Sequence, residues 1–212
     1  MTVLFEDKDL VVCVKPAGLL SEDGAESAPE ILRQQLNCNI FPVHRLDRGT
    51  GGVMVYAKNS AAAAKLSATI TGGQFVKRYL AVVRGTPAEP EDILKDLLYH
   101  DRKKNKSYVV KKDRAGVKQA SLEYKLLSTI QHAGNTLSLL EIQLHTGRTH
   151  QIRVQFSSRR LPLYGDGKYG GRTEAEGMAL WAYSLSFPWM NETKDFNELP
   201  QGTPWCLFEK SC

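Results

Sequence analysis

Residues 51–57 restrict this chain more than any others: they read GGVMVYA, an apolar run entered through two glycines and a charged turn, HRLDRGT at 44–50. Val53, Val55 and Ala57 alternate with Met54 and Tyr56, which predicts a largely buried strand. The turn ahead of it places one carboxylate, Asp47, between Arg45 and Arg48, and nearby positive charge favours the ionised form. Thr50, Gly51 and Gly52 give a turn in which backbone can pass close to a neighbour. A charged loop carried by a buried strand is a rigid mount for a reactive group, so Asp47 is a candidate catalytic residue. The plainer alternative is an aspartate that caps a turn.

The remaining pattern predicts an α+β fold with a mainly antiparallel mixed sheet flanked by helices and loops. Val3–Val14 reads as two short strands around an acidic turn, and Phe75–Val83 as another strand. Gln119–Leu127, Leu137–Leu144 and Met178–Phe187 continue the strand-rich texture. Helices are expected at Pro29–Leu36, with Pro at the first turn, and at the Ala-rich segment 59–71, capped by Asn59 or Ser60 and ended by Gly72-Gly73. A third is expected at Thr149–Ser158.

The 212 residues, without repeat or linker, fit one domain or two subdomains around a shared cleft. A formal charge of +5 suits a polyanionic partner. Neither a signal-peptide core nor an 18-residue apolar run is present, so a cytoplasmic protein with no membrane association is expected. Cys13, Cys38, Cys206 and Cys212 lack metal-ligand spacing and read as free thiols, a Cys206–Cys212 disulfide being the lesser alternative.

HRLDRGTGGVMVYAK resembles the catalytic-aspartate motif of RNA pseudouridine synthases of the RluA type, near HRLDxxTSGLxxxAK. Three further segments match in the expected order. Lys15-Pro16-Ala17-Gly18 is similar to the KPxG motif, Lys77-Arg78-Tyr79 to the KxY motif, and GRTHQIRVQFSSRRLPLYGDGKYG, from Gly147 to Gly170, to the long C-terminal motif. The resemblance runs from about Leu4 to Pro188. It implies the pseudouridine synthase fold, here as a stand-alone catalytic domain spanning 1–212 without an N-terminal S4 RNA-binding domain. Four departures stand out: Gly51 where Ser is usual, Val53 for Leu, Gln155 for His, and Trp181 where the last strand often shows His.

The implied reaction breaks the bond between uracil N1 and ribose, rotates the base and rejoins it through C5. Asp47 is implied as nucleophile or base, and which of the two is left open by the sequence. Arg153, from the QIR segment, is implied as its guanidinium partner, with Tyr79 stacking on the uracil or serving a proton transfer. Ile152 is expected beneath the base, although an apolar helix residue is also ordinary core. The target base must leave its stack, and Arg45 is placed to fill the vacated space or hold a phosphate. Lys15, Arg148 and His150 are expected RNA-phosphate or site-shaping contacts. Arg102–Lys106, with Lys111 and Lys112, is either an RNA-backbone loop or a solvated hairpin end. GDGKYGG, from Gly165 to Gly171, lacks nucleotide-loop spacing and reads as a structural turn.

The expected partner is therefore a ribosomal or transfer RNA substrate, with no cofactor and no metal, and a monomeric state. One rival is a metal-dependent hydrolase on His44, Asp47, His145 and His150, though neighbouring arginines would repel a cation. Another is a non-catalytic RNA-binding protein, which Asp47→Asn would leave unaffected.

Overall fold

The computed structural model describes residues 1–170 and 177–208. In chain order the elements are β1 (Thr2–Glu6), β2 (Leu10–Lys15), α1 (Ala28–Leu36), β3 (Phe41–Pro42), β4 (Gly51–Ala57), α2 (Ser60–Thr71) and β5 (Val76–Arg84). Then come β6 (Glu91–Asp101), β7 (Lys106–Val110), β8 (Val117–His132), β9 (Asn135–Leu144), α3 (Gln151–Ser158), β10 (Leu180–Trp189) and β11 (Glu192–Asn197). The chain forms two compact units, 1–78 with 181–200 and 79–180 with 201–212.

In the first unit β4 is the central strand, and all its residues are buried. Antiparallel β2 runs along one edge, from Leu10 opposite Ala57 to Lys15 opposite Gly52. Its other edge is shared: β3 pairs at Tyr56 and Ala57, and β10 pairs in parallel at Gly51 and Gly52. β1 extends the sheet beyond β2, and β11 pairs antiparallel with β10. Leu10, Val12, Val53, Val55, Leu66, Phe75, Leu185 and Phe187 form the core. Both helices begin as their sequences require. Ser27 accepts the Glu30 amide at 3.3 Å ahead of α1, and Asn59 accepts that of Ala62 at 2.9 Å ahead of α2.

The second unit orders its strands β5-β9-β8-β6-β7. β6 and β8 pair antiparallel from Glu91 opposite Lys125 to Tyr99 opposite Val117, and β8 and β9 form a long hairpin. Among its described residues one buried cluster gathers around Val82, Leu137, Tyr164 and Phe208, and another around Leu98, Ala120, Val154 and Tyr169.

The α+β expectation and its mainly antiparallel sheet are found, with β4–β10 as a parallel pair. The β6–β7 hairpin agrees with one of the two readings of Arg102–Lys106, a solvated hairpin end, but its strands were not read, because EDILKDLLYHD mixes charged and apolar residues without clean alternation. Arg102–Asn105 is its turn: Asp101 accepts the amides of Lys103 and Lys104, and Asn105 takes a left-handed φ of 44°. The third helix starts two residues later than expected. His150, at φ 54°, is its left-handed cap, and the Gln151 amide turns back to the Arg148 carbonyl. Cys13, Cys38 and Cys206 are free thiols, while Cys212 and Gly171 lie outside the described residues. Among the described residues no helix is long and apolar enough to cross a membrane.

Candidate active site

In the first unit the Asp47 turn is fastened from both sides by the segment that follows β2. The Gly18 amide donates to the Arg48 carbonyl at 2.7 Å, and Arg48 Nε returns a bond to the Gly18 carbonyl at 2.7 Å. On the other side, Ser21 Oγ donates to the Leu46 carbonyl at 2.8 Å and accepts the Leu46 amide at 3.0 Å. Asp47 lies between these clamps, half-buried, and its carbonyl accepts the Thr50 amide at 2.9 Å. A short, multiply bonded turn of this kind holds a side chain in place before any ligand arrives.

Lys15 ends β2 and is fully buried. Its Nζ donates to the carbonyls of Pro16 and Leu19, each at 3.0 Å. Burial pushes its pKa down to about 8, while the negative charge of Asp47 opposes that shift. The Lys15 ammonium is thus held by two backbone carbonyls of the segment that follows β2. Arg45 is exposed, 3.4 Å from Glu22, and Arg48 is paired with Glu26 at 2.6 Å. His44, one residue before Arg45, accepts the Val55 amide at Nε2 and packs edge-on to Phe75. Burial, aided by the charge of Lys77, holds it neutral, well below the usual imidazole range.

In the second unit Arg153 projects from α3 into a bidentate pair with Asp166. Nε meets Oδ2 at 2.8 Å and Nη2 meets Oδ1 at 2.8 Å. Asp166 is 2% exposed, and its Oδ1 also accepts the amides of Lys168 and Tyr169. The guanidinium lies over the Tyr169 ring, 5.0 Å from its centre. Tyr169 is fixed in turn: its hydroxyl accepts the Ser107 amide at 2.7 Å and bonds His150 Nδ1 at 2.9 Å. His150 is therefore buried and bonded to Tyr169. Arg148 is exposed, with Nε on the Gln119 carbonyl. Ile152 on α3 and Tyr79 on β5 are buried, at 4% and 5% exposure. Gln155 spans the strand next door, donating to the Leu94 carbonyl and to Asp96.

Each unit thus orders its own part of the expected set, Lys15, Arg45 and Asp47 in one and Arg153, His150 and Ile152 in the other. Sequence reasoning missed Ser21, Tyr169 and above all Asp166, which it took for part of a structural turn. An acidic residue between two glycines, 13 positions after Arg153, was the available signal. The metal rival finds no donor set: among the described residues no three His, Cys, Asp or Glu gather for a metal. His145 instead faces Glu123 at 3.4 Å.

Residues 9–158 match the sequence model of a family described as RNA pseudouridylate synthase. The chain is 37% identical over 186 residues to tRNA pseudouridine synthase C of Haemophilus ducreyi, an alignment covering 80% of this chain and 74% of that protein. It is 31% identical over 227 residues to ribosomal large subunit pseudouridine synthase D of Zymomonas mobilis, covering 95% and 70%. It is also 33% identical to the RNA pseudouridine synthase YhcT of Bacillus subtilis, covering 81% of this chain and only 58% of that protein. The solved structure of human RNA pseudouridylate synthase domain containing 1 shares the fold, with a TM-score of 0.80 at 23% identity over 94% of this chain and 83% of its own. With most of its length matched by the family model and relatives above 30% identity along four-fifths or more of it, the chain belongs to the RNA pseudouridylate synthases, isomerases that act on RNA.

Proposed function

We propose that this chain converts specific uridines of transfer or ribosomal RNA to pseudouridine, with Asp47 as the catalytic carboxylate and with Tyr79 and Arg153 acting with it. The observation that supports Asp47 most is its mounting: a half-buried carboxylate in a turn bonded on both flanks, with the buried cation of Lys15 felt from the same unit. The reaction needs a negative group held rigidly while the N1–C1′ bond breaks, the base turns and the C5–C1′ bond forms. The C5 proton is then lost and N1 gains one, so the isomerisation consumes no co-reactant. Asp47 acts as nucleophile or as base; both roles require the same fixed carboxylate.

Arg153, locked by Asp166 and Tyr169, supplies a guanidinium whose orientation is set in advance. Tyr79 supplies a buried ring for the flipped base or a hydroxyl for proton transfer. Exposed Arg45, two residues ahead of Asp47, fills the gap left in the RNA or holds a phosphate. The relatives named for transfer RNA and for the large ribosomal subunit keep both substrate classes in view.

The test is pseudouridine mapping by carbodiimide labelling and reverse-transcription stops on RNA from cells with and without the gene. Loss of one or a few sites, restored by the wild type, supports the reading and names the substrate. An unchanged map in both RNA classes contradicts it.

A further inference from the structure

The wall behind the Asp47 turn is aromatic. Trp181 and Gly51 are register partners in the parallel pairing of β10 with β4. A Cβ placed on Gly51 would lie 2.3 Å from Cζ3 and 2.7 Å from Cε3 of Trp181, and 3.1 Å from the Lys15 carbonyl oxygen. Contacts of 2.3 Å do not exist between carbon atoms, so the six-membered ring of the indole occupies the volume a side chain at 51 would need. Gly52, at φ 124°, is as tightly met, since a Cβ there would lie 2.2 Å from the Ala182 carbonyl oxygen. The ring is also anchored at its other end, where Nε1 donates to the Glu198 carbonyl at 2.8 Å.

We propose that Trp181 is a positioning residue for the catalytic turn, its indole holding Gly51 and the end of β2 in the arrangement that aims Asp47. The proposal rests on the reading of Asp47 as the catalytic carboxylate. Gly51 directly follows Thr50, the buried residue whose amide closes the turn on the Asp47 carbonyl. The space at Gly51 is bounded on another side by the end of β2, whose Lys15 carbonyl oxygen lies 3.1 Å from the same Cβ position, and the Lys15 side chain carries the positive charge near Asp47. A flat, rigid side chain fixed by a hydrogen bond sets both at once. Positions 51 and 181 are consequently interdependent: the indole fits only where position 51 has no side chain, and a side chain at 51 fits behind the turn only where position 181 carries a smaller ring.

The experiment is a double-mutant cycle on the full chain with its mapped RNA: wild type, Gly51→Ser, Trp181→His and the pair. Circular dichroism and thermal unfolding follow each variant. Replacing the indole by imidazole removes the atoms that collide with a residue-51 side chain. Gly51→Ser should lower kcat by about 100-fold while KM changes little, because a displaced turn loses aim and not RNA. Adding Trp181→His should restore most of that loss, to within about tenfold of wild type. Wild-type kcat in Gly51→Ser, additive losses in the pair, or a loss confined to KM would overturn the proposal. Should Gly51→Ser fail to fold, Trp181→Phe decides in its place. It keeps an aromatic ring without the Glu198 bond, and an unchanged kcat would overturn the proposal. Asp47→Asn serves as the separate control: turnover surviving in that variant refutes the reading of Asp47, whatever the coupling between 51 and 181.

Discussion

The Ser21 hydroxyl satisfies both backbone groups of Leu46, accepting its amide at 3.0 Å and donating to its carbonyl at 2.8 Å. One side chain, 25 residues upstream, thereby fixes the peptide units that lead into Asp47. Tyr56 from β4 donates to the Ser21 carbonyl at 3.2 Å, so the clamp is itself tied to the central strand.

Ser21→Ala should therefore leave two buried backbone groups unsatisfied at a site only 3% exposed. The expected cost is about 1–3 kcal/mol by denaturant unfolding, with kcat reduced more than RNA affinity. Unchanged unfolding together with unchanged kcat would show that the clamp is dispensable.

Asp166→Asn should break the bidentate hold on Arg153 while preserving shape. The Arg153 and Asp166 side chains are 11% and 1% exposed, so little solvent screening softens the loss. A stability decrease of about 3 kcal/mol is expected, as for removal of one partner of a buried pair. A fall in kcat of about 100-fold should accompany it as the guanidinium loses its orientation. Arg153→Lys should not substitute, since an ammonium cannot match two carboxylate oxygens side by side. Wild-type kcat in Asp166→Asn would contradict the positioning role.

Stability and catalysis should part company in alkali. Lys15 and Lys77 are each pushed down by burial to about 8, below the ordinary lysine value of 10.5. Between those limits the unfolded chain binds more protons than the folded one, so unfolding free energy rises with pH across that window. Lys15→Met and Lys77→Met should each flatten this rise. Turnover should move the other way, because deprotonating Lys15 withdraws positive charge from beside Asp47. A kcat that stays level from about pH 7 to about pH 10 would contradict the electrostatic role of Lys15.

What the sequence disclosed and what it hid have physical reasons. Asn59 and Gly72 mark the limits of α2 because capping chemistry is local, and β4 was legible because nothing in GGVMVYA tolerates water. β6 was not legible: its pairing to β8 and β7, not its own pattern, makes EDILKDLLYHD a strand. Asp47 stood out through its motif. Asp166 did not, since a glycine-flanked aspartate looks like any turn residue until the fold brings Arg153 to it. Lys15 was read as an RNA-phosphate or site-shaping contact, without its partners, for a similar reason: no pattern announces that the carbonyls of Pro16 and Leu19 will enclose an ammonium. The exchange of usual side chains for Gly51 and Trp181 was visible as two separate departures, and only the register of β10 on β4 joins them.

The most direct test is a single-turnover assay of Asp47→Asn on the mapped RNA, with affinity measured in parallel. Asparagine keeps the size and the turn but can neither attack as a carboxylate nor take a proton. With Asp47 as the catalytic carboxylate, no detectable pseudouridine is expected at an enzyme excess that converts every target site with wild type, with RNA affinity within about threefold of it. Pseudouridine formation by Asp47→Asn at a rate near wild type would contradict the assignment of the chemistry to this residue.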